Sequence, residues 1–565
     1  MRIPILFLAA GLAWSQQTTI TVLATTDMHG NLFPVDYVTD QPAARGLAKF
    51  ATLIRAAEAD NPNHLLIDCG DTIQGTPLEY AYQDYVRTGT GPLGLKPATP
   101  LNHDPMMLAM NLLGYDAMAV GNHEYNFGLK NLARARSDAH FPWLSANTAV
   151  APGGKERPYE AFILKTIAGV KVAVIGITTP AVPTWEKPEN IGAYRFLSPV
   201  DVLKKTVADL RAKEHLDLIL VAAHTGLGRN LDTGQPDSPD ENQTYAMAVG
   251  VPDMDAIVFG HTHNQLEGRN VGNVLLVQPK NWATSLARLD FTMERKPGGG
   301  WTVSKKTSRL IPVTAQTEAA ADVLAIGKPY HEFAERYLET PVAASPAPLS
   351  AALGRIEDTA IVDALQDVQL YYSKADVSFA SLFNPSVRVP KGQVTVRQIA
   401  ALYPYDNELY AIEGTGKMVK DALENSARYY LGCEGVRCSQ LPLTDRSVIG
   451  YNYDMAQGVQ YEIDLTRPVG DRIRNLRYHG APLAPDQKLS IAVNNYRAAG
   501  SAGYSMFVGA KIVWRGPEEI RDMIVHYYTD KKTFPATVDN HWRLLPDAAR
   551  QTLEQEAQSP RPPLQ

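Results

Sequence analysis

Five short segments place Asp, Asn and His side chains directly after apolar stretches of the chain. The segments are Asp27-Met28-His29, Gly70-Asp71, Gly121-Asn122-His123-Glu124, His224 and Gly260-His261-Thr262-His263. Carboxylates and neutral imidazoles together suit Zn, Mn, Fe or Co better than Ca or Mg, which prefer oxygen ligands alone. A lone His after a strand is more often a structural residue, but that interpretation would have to hold separately at every position. We therefore predict a site for two adjacent divalent metal ions.

The predicted metal ligands all come at or just after the end of a predicted strand. They are Asp27, His29, Asp71, Asn122, His224, His261 and His263. Two ions close together need a bridging ligand, and a carboxylate such as Asp71 serves this purpose well. Two divalent ions bring four positive charges, and Asp27 and Asp71 neutralise only two of them. The site would therefore keep positive charge to hold a phosphate.

The first half of the chain alternates apolar runs with amphipathic stretches, which is typical of an α/β layered domain. The predicted strands are Ile20–Thr25, Leu65–Asp68, Ala117–Val120, Val170–Ile177, Leu218–Ala223 and Ala256–Phe259. Helices are predicted for Ala44–Ala59 and for Val200–Glu214, the latter after the cap-like sequence Ser198-Pro199. Parallel strands bring their ends together, so the candidate ligands are expected to lie close to one another.

The pattern changes in the middle of the chain. Val274–Pro312 is β-rich, Glu318–Leu338 has a helical pattern, and Pro341–Pro348 is rich in Pro and Ala, which indicates a junction between domains. The second half, to about Leu545, has its own helices and strands and therefore a second core. The end of the chain, including Ser559–Pro563, is predicted to be a disordered tail.

The composition is that of a globular protein with more than one domain. The chain has 565 residues, of which 45% are hydrophobic and 20% charged, and its formal net charge is −6. This length is too great for a single core. No basic stripe stands out in the sequence, which argues against nucleic-acid polymers as partners. A small nucleotide remains compatible, because a local metal charge can override a mildly acidic surface.

The N-terminus has the pattern of a secretory signal peptide. Met1-Arg2 precedes the apolar stretch Ile3–Trp14, and the small-x-small sequence Ala13-Trp14-Ser15 predicts cleavage after Ser15. The alternative is a buried first helix, which the Pro and Gly within the stretch disfavour. The stretch is also shorter than the roughly 20 residues of a membrane span, and no Cys follows it to carry a lipid. We expect an exported protein, periplasmic or extracellular, with no membrane contact after cleavage.

The three cysteines fit that compartment. Cys433 and Cys438 are close enough in sequence for a local disulfide, the alternative being two free thiols in a loop. Cys69 ends an apolar strand and is expected to be inert packing.

The five segments, in this order and spacing, resemble the motifs of the calcineurin-like metallophosphoesterases. Four segments of the second half resemble the C-terminal domain of the 5′-nucleotidase family: Asn384-Pro385-Ser386-Val387-Arg388, Tyr403-Pro404-Tyr405-Asp406-Asn407, Gly458-Val459-Gln460-Tyr461 and Asn494–Gly500. The likeness covers nearly all of the mature chain. Within the family it looks most like the 2′,3′-cyclic-nucleotide 2′-phosphodiesterase/3′-nucleotidase branch.

The resemblance implies an α/β protein of two domains. A four-layer α/β/β/α metallophosphoesterase domain would span residues 18–315, after the signal peptide at 1–15. A helical linker, 316–340, would lead to a separate α+β substrate-binding domain, 341–545, and then to a tail, 546–565. Related enzymes are thought to rotate the second domain between substrate loading and catalysis, and we place that hinge near Glu318–Leu338.

The resemblance also assigns roles to residues. One ion would be held by Asp27, His29, Asp71 and His263, and the other by Asp71, Asn122, His224 and His261. His123 would face the substrate phosphate and stabilise or protonate it. Many 5′-nucleotidases pair this His with an Asp three residues later, where this chain has Asn126. An Asn can orient the imidazole but supplies no charge to favour its protonated form. The cyclic-phosphodiesterase branch is known for Asn here; the alternative is that Asn126 is a neutral variation.

In this family two aromatic residues of the C-terminal domain sandwich the nucleobase. Tyr496 matches one of them, and Tyr405 is our prediction for the other, with Tyr453 as the alternative. Stacking accepts any base, because every base has an aromatic face. The competing interpretation is that these Tyr residues pack in the core. Asn384 and Arg388 are predicted to contact phosphate or ribose.

The leading hypothesis is an exported enzyme that opens 2′,3′-cyclic nucleotides and then dephosphorylates 3′-nucleotides. The nearest alternative is a 5′-nucleotidase or nucleotide-sugar hydrolase on the same scaffold, and a more remote one is a sulfur-oxidation hydrolase that acts on thiosulfate groups. A catalytically silent nucleotide-binding protein is disfavoured, because no ligand in the five segments is missing. The expected partner is a small nucleotide, and the expected oligomeric state is a monomer.

Overall fold

The structure is a computed structural model that describes residues 16–150, 157–238, 240–405 and 407–558. The chain divides into two compact units. The first comprises the described residues up to Asp36 together with Asp40–Ala334, and the second comprises Tyr37–Thr39 and the described residues from Glu335 onward. The predicted signal peptide, residues 1–15, lies outside the described residues. Among the described helices, none combines the length and the apolar character of a membrane span.

Two six-stranded sheets form the centre of the first unit as described. Their strands are β1 (Gln17–Thr25), β2 (His64–Asp68), β3 (Ala117–Ala119), β4 (Trp143–Leu144), β5 (Phe162–Ile167), β6 (Val170–Thr178), β7 (Leu218–His224), β8 (Ala256–Phe259), β9 (Leu266–Val271), β10 (Val274–Gln278), β11 (Ser285–Arg295) and β12 (Trp301–Pro312). The first sheet has the order β12-β11-β1-β2-β3-β4, and the second has the order β9-β10-β8-β7-β6-β5. Strands β1 to β4 run parallel to one another, as do β6, β7, β8 and β10.

The six strands predicted from the apolar runs are confirmed as β1, β2, β3, β6, β7 and β8. They are shared between two sheets, as the four-layer arrangement implied by the resemblance requires. The sheets pack face to face over a core that contains Val22 and Ile67 from the first and Leu220 and Val258 from the second. Leu23 is buried on the opposite face of β1. Burial on both faces explains why these strands read as continuous apolar runs.

Helices cover the outer faces of the sheets. They are α1 (Leu47–Asp60), α2 (Pro77–Thr88), α3 (Pro105–Leu113), α4 (Gly128–Asp138), α5 (Pro199–Glu214), α6 (Thr244–Gly250) and α7 (Ala321–Leu338). Leu203 of α5 and Met247 of α6 pack on the second sheet, and α1 packs against β11 of the first. Ser198 caps α5 as predicted, by accepting a hydrogen bond from the backbone N–H of Asp201 at 3.4 Å. This is the α/β/β/α layering that the resemblance implied.

The second unit has its own sheets. Its strands include β13 (Pro341–Ser345), β14 (Val377–Ser381), β15 (Gly392–Thr395), β16 (Glu408–Thr415), β17 (Asp454–Gln457), β18 (Gln460–Asp464), β19 (Ile473–Tyr478), β20 (Ala481–Pro482), β21 (Lys488–Asn494), β22 (Ile512–Glu519) and β23 (Trp542–Leu545), and the short strands Leu349–Ser350 and Arg388–Val389 pair with each other. Its helices are α8 (Ala360–Ser373), α9 (Val396–Leu402), α10 (Gly416–Ser426), α11 (Asn495–Ala498), α12 (Ile520–Lys531) and α13 (Asp547–Gln558). One sheet has the order β17-β14-β21-β16-β22 and another β20-β19-β18-β23.

Two predictions about the second half need correction. The Pro/Ala-rich segment that we interpreted as part of the domain junction contains a strand, β13, which pairs with β15, and the division between the units falls earlier, within α7. The tail predicted from residue 546 begins instead with the helix α13. Thr552 of α13 donates a hydrogen bond to the carbonyl oxygen of Cys438 at 3.0 Å, so this helix belongs to the fold. Residues 559–565 lie outside the described residues.

The predicted local disulfide between Cys433 and Cys438 is confirmed. Cys69 is a free, fully buried thiol at the end of β2, and burial raises its pKa well above the usual value. A thiol in that state is unreactive, as predicted.

Candidate metal centre

Every candidate ligand lies at or just past the carboxyl end of a strand. Asp27 and His29 follow β1, Asp71 follows β2, Asn122 follows β3, His224 ends β7, and His261 and His263 follow β8. The strand ends are level, since Thr25 of β1 pairs with Asp68 of β2, and Ala223 of β7 with Phe259 of β8. The structure thereby brings two groups of ligands together, Asp27 with His29 and His263, and Asp71 with His224 and His261.

Five of these residues have a left-handed backbone conformation. The φ angles are 49° at Asp27, 48° at His29, 59° at Asp71, 80° at His261 and 56° at His263. Such conformations cost on the order of 1–3 kcal/mol each for residues with a Cβ, and they cluster at functional sites. Hydrogen bonds between neighbouring loops hold them, because the backbone N–H groups of Asp27 and His29 donate to the carbonyl oxygens of Gly70 and Asp71 at 2.8 Å each.

Two glycines of the motifs allow the carboxylates to approach the neighbouring loops. A Cβ atom added to Gly121 would lie 2.2 Å from Asp71 Oδ1, and one added to Gly260 would lie 2.4 Å from Asp27 Oδ2. Both distances are far shorter than a van der Waals contact. The Gly of Gly-Asn-His-Glu and the first Gly of Gly-His-x-His therefore leave room for the two carboxylates that are candidate metal ligands.

His224 shows most directly that a cation fits this site. Its Nδ1 lies 2.8 Å from the carbonyl oxygen of Cys69, to which it donates a proton. The neutral ring then presents the Nε2 lone pair to Asp71 Oδ2 at 2.9 Å and to Asn122 Oδ1 at 3.1 Å. Three acceptors that face one another need a positive charge between them. Burial lowers the pKa of His224, but Asp71 outweighs this effect and raises the pKa to about 10, so the ring takes up a proton when no metal ion is bound. A divalent ion would replace the proton.

The other ligand group has a similar arrangement. His29 Nδ1 donates to the carbonyl oxygen of Gln74 at 3.0 Å, which leaves its Nε2 lone pair 2.9 Å from Nε2 of His263. His263 Nε2 lies 3.4 Å from Asp27 Oδ1. Burial and then the charge of His263 lower the pKa of His29 to about 4, so its ring is neutral at physiological pH. Metal binding requires a neutral imidazole, in which one nitrogen carries the N–H and donates it to a carbonyl while the other nitrogen keeps its lone pair for the ion.

Asp71 lies between the two ligand groups. Its Oδ2 is 2.9 Å from His224 Nε2 and 3.9 Å from His29 Nε2, and its Oδ1 accepts a hydrogen bond from the backbone N–H of His123 at 2.8 Å. A carboxylate that faces nitrogens of both groups suits a bridging position. The donor set of carboxylates, one amide oxygen and imidazoles fits divalent metal ions.

His123 is oriented by a relay of two further side chains. Its Nδ1 lies 2.6 Å from Asn126 Oδ1, and Asn126 Nδ2 donates to Glu186 Oε2 at 2.8 Å. Because Glu186 can only accept, it fixes the Asn126 amide with the oxygen toward His123, and Nδ1 of His123 is the donor. Asn126 has no charge of its own to offer, but the buried Glu186 places a carboxylate directly behind it.

Sequence reasoning overlooked Glu124, which joins the loops after β2 and β3. Its fully buried carboxylate accepts hydrogen bonds from the backbone N–H groups of Gly121 at 2.6 Å, Asp71 at 2.9 Å and Thr72 at 2.6 Å. Burial, with the charge of Asp71, raises the pKa of Glu124. Its place in the Gly-Asn-His-Glu motif was the only signal for this role.

Glu241 was also overlooked, and it carries no motif. Its Oε1 lies 2.8 Å from His261 Nε2, so the ring N–H is fixed there and Nδ1 remains for a metal ion. We expect Glu241→Ala to weaken metal affinity about 10- to 100-fold, as is common when such a partner is lost. Metal titration of chelator-treated protein measures the effect.

The exposed Glu189 provides the matched control, since Glu189→Ala should leave metal affinity unchanged. Unaltered affinity in Glu241→Ala would show that Glu241 does not orient His261.

The aromatic candidates lie in the second unit. Tyr405 is 42% exposed, and its ring centroid is 4.9 Å from that of Phe383 and 6.4 Å from that of Tyr451. Tyr496 lies half-buried on α11. Tyr453, our alternative, is fully buried against other tyrosines and is therefore core packing.

The two aromatic motifs meet through hydrogen bonds. Asn407 Nδ2 donates to the hydroxyl of Tyr403 at 3.2 Å, and the backbone N–H of Glu408 donates to Asn495 Oδ1 at 3.3 Å. The first bond holds the segment of Tyr405 together, and the second joins it to the segment of Tyr496.

Asn384 and Arg388 make local contacts. Asn384 Oδ1 accepts a hydrogen bond from the backbone N–H of Ser386 at 2.9 Å, and Arg388 Nη1 donates to the carbonyl oxygens of Pro385 and Val387 at 3.1 and 2.8 Å. Phe383, next to Asn384 in the chain, places this loop beside Tyr405.

Comparison with known families gives two matches. The profile of calcineurin-like phosphoesterases matches residues 20–265, and the profile of the 5′-nucleotidase C-terminal domain matches residues 339–509. Together they cover most of the chain and both units.

Individual relatives share 30% sequence identity or less with the chain. The chain is 30% identical to the trifunctional nucleotide phosphoesterase protein YfkN of Bacillus subtilis over 94% of its own length, but it spans only 39% of that protein. It is 27% identical to a 2′,3′-cyclic-nucleotide 2′-phosphodiesterase/3′-nucleotidase of Haemophilus influenzae over 95% of this chain and 89% of that one. The solved 5′-nucleotidase precursor of Thermus thermophilus shares the fold, with a TM-score of 0.60 at 22% identity over 94% of this chain and 99% of that one.

Proposed function

The chain belongs to the calcineurin-like phosphoesterases that carry a 5′-nucleotidase C-terminal domain, and we propose that it hydrolyses 2′,3′-cyclic nucleotides to 3′-nucleotides and these to nucleosides and phosphate. Membership makes it a metal-dependent phosphoric ester hydrolase. The observation that carries the proposal is that three acceptor atoms, on His224, Asp71 and Asn122, face one another. Only a proton or a cation between them can remove their repulsion. The relatives in Bacillus subtilis and Haemophilus influenzae support the nucleotide class of substrate.

In this proposal the residues would hold two divalent ions, with Asp71 common to both. Asp27, His29, Asp71 and His263 would hold the first, and Asp71, Asn122, His224 and His261 would hold the second. Such ions, when bound, supply a nucleophile at neutral pH and neutralise negative charge on the phosphate.

The chain's own contribution to the chemistry is made by His123. With its Nδ1–H held by Asn126, the ring of His123 directs Nε2 to the substrate, where it stabilises the phosphate or gives a proton to the departing ribose oxygen. Glu186 behind Asn126 holds the amide in the orientation that fixes the tautomer of His123. Asn126 also supports the proposed specificity for cyclic and 3′-nucleotides, because the family resemblance associates Asn at this position with the cyclic-phosphodiesterase branch.

The decisive experiment compares 2′,3′-cyclic AMP, 3′-AMP and 5′-AMP as substrates of the purified, metal-loaded protein. We expect turnover of the first two and little of the third. Strong preference for 5′-AMP with no activity on the cyclic substrate would replace the proposal with a 5′-nucleotidase. Nucleotide binding without metal-dependent turnover would indicate a binding protein.

We assign base stacking to Tyr405 and Tyr496, and we expect Tyr405→Ala to raise KM for 3′-AMP. Loss of one stacking face costs about 1–3 kcal/mol, which corresponds to roughly 5- to 150-fold in KM. Steady-state kinetics should show this rise with little change in kcat, and no change in KM for 4-nitrophenyl phosphate, which has no base.

Tyr371, which is 48% exposed in the same unit, provides the matched control, and Tyr371→Ala should leave both KM values unchanged. If Tyr405→Ala raised KM equally for 3′-AMP and for 4-nitrophenyl phosphate, Tyr405 would have a structural role instead.

Export is part of the same proposal. N-terminal sequencing of the mature protein from its native host should give Gln16 as the first residue, following cleavage after Ser15. Recovery of an intact Met1 from the cell interior would contradict export.

A further inference from the structure

The second unit contains its own group of potential metal ligands. We call Asp358, Asp363, Asp539 and His541 the acidic-histidine cluster. Asp358 and Asp363 lie on either side of the start of α8, and Asp539 and His541 come directly before β23. One ligand atom from each residue lies within 4.8 Å of the others. The cluster joins the last strand of the unit to the helix α8.

The imidazole of His541 is oriented like a metal ligand. Its Nε2 lies 2.8 Å from the carbonyl oxygen of Ala456, to which it donates a proton because a carbonyl can only accept. The neutral ring presents its Nδ1 lone pair to Asp539 Oδ1 at 2.5 Å and to Asp358 Oδ2 at 2.9 Å. A lone pair that faces two carboxylates is repelled unless a positive charge lies between them. A metal-bound His usually has this arrangement, since its other ring nitrogen carries an N–H that is donated to a carbonyl or carboxylate.

Two carboxylate oxygens of the cluster are buried without a hydrogen-bond partner. They are Asp358 Oδ1 and Asp363 Oδ1, and the side chains are only 3% and 7% exposed. The two carboxyl groups lie against each other. Burial, followed by the neighbouring Asp358, raises the pKa of Asp363 to about 8, because two adjacent buried carboxylates repel each other unless a proton or a cation lies between them.

An independent side chain brings a further unsatisfied atom to the same place. Gln457, at the end of β17, is 9% exposed, and its Nε2 donates to Asp539 Oδ2 at 2.9 Å. Its Oε1 is buried without a partner. The carboxamide therefore adds a neutral oxygen donor beside the cluster.

We propose that the acidic-histidine cluster binds a divalent transition-metal ion, such as Mn²⁺ or Zn²⁺, through His541 Nδ1 and the carboxylates of Asp358, Asp363 and Asp539. An imidazole among carboxylates favours these ions over Ca²⁺ and Mg²⁺. The ion supplies the positive charge that the buried carboxylates need. It holds β23 against the start of α8, so its part is to stabilise the second unit, and the chemistry belongs to the first.

The test uses the full chain, stripped of metal with a chelator and reloaded with Mn²⁺ alone. The paired substitution Asp358→Asn with Asp363→Asn keeps acceptor oxygens for the backbone N–H groups of His541 and Asp539, but it removes two charges. We expect this variant to hold one Mn²⁺ fewer per chain by elemental analysis and to lose the electron paramagnetic resonance pattern of an isolated Mn²⁺ ion. Its phosphoesterase activity should stay at the parent level.

Asp71→Asn separates this site from the metal centre of the first unit, since that variant should keep the isolated Mn²⁺ ion. The exposed Asp486 provides the matched control in the second unit, and Asp486→Asn should bind Mn²⁺ like the parent. If the paired variant fails to fold, Asp539→Asn replaces it, because that side chain is 52% exposed, and it should also weaken binding of the isolated ion. If the paired variant, or Asp539→Asn in its place, matched the parent in Mn²⁺ content and in spectrum, the proposal would be overturned. The carboxylates of the cluster would then be compensated by protons instead of a metal ion.

Discussion

Asp71→Asn is expected to lower kcat for 3′-AMP by on the order of 10³-fold, because a two-metal site contributes several kcal/mol to stabilising the transition state. The substitution preserves shape, and an Asn oxygen can still accept the hydrogen bond from the backbone N–H of His123. What it removes is the negative charge that faces both His224 and His29. The effect therefore measures the bridging function and not the packing of the loop.

Steady-state kinetics and metal analysis test this expectation together. The variant should hold less metal than the parent, and added Mn²⁺ should restore activity only in part. Asp209→Asn, at an exposed position of α5, is the control and should match the parent in both measurements. Full activity and full metal content in Asp71→Asn would rule out Asp71 as the bridge.

His123→Ala is expected to lower kcat for 3′-AMP by about 10²- to 10⁴-fold, which is the range for loss of a positioned proton donor. Metal content should remain at the parent level, because the side chain of His123 is bound to Asn126 and is not one of the proposed metal ligands. The exposed His140 supplies the control, and His140→Ala should leave kcat unchanged.

A comparison of leaving groups tells what His123 does. The 4-nitrophenolate ion departs without a proton, so His123→Ala should lose far less activity on 4-nitrophenyl phosphate than on 3′-AMP if His123 protonates the ribose oxygen. Equal losses on the two substrates would assign His123 to stabilising the phosphate. A variant that retains parent activity on 3′-AMP would remove His123 from the mechanism.

The six central strands of the first unit could be predicted from the sequence because they are buried on both faces. Continuous apolar runs such as Leu65–Asp68 and Leu218–Ala223 are typical of strands inside a layered sheet. The second half was predicted less well. A Pro/Ala-rich stretch looked like a linker but forms β13, and α13 was taken for the start of a tail. Edge strands and terminal helices depend on contacts with distant residues, which local patterns do not record.

The candidate ligands could be identified from residue type and motif, because metal ions bind only a few kinds of donor atom and each candidate follows a predicted strand. Their orienting partners were not. Glu241 and Glu186 lie in loops without a motif, and they become recognisable only when the fold places them 2.8 Å from His261 and from Asn126. Likewise, Tyr453 and Tyr405 look equivalent in sequence, but the first is buried and the second is exposed.

The sequence by itself therefore determined the five segments, their order and the class of metal that their side chains suit. The family resemblance added the two sheets and Asp71 as the shared ligand. Tertiary structure alone decided that Glu241 fixes the ring of His261 and that a carboxylate stands behind Asn126. The physical reason is that donor chemistry belongs to single side chains, whereas bridging, tautomer and charge depend on distances between residues far apart in the chain.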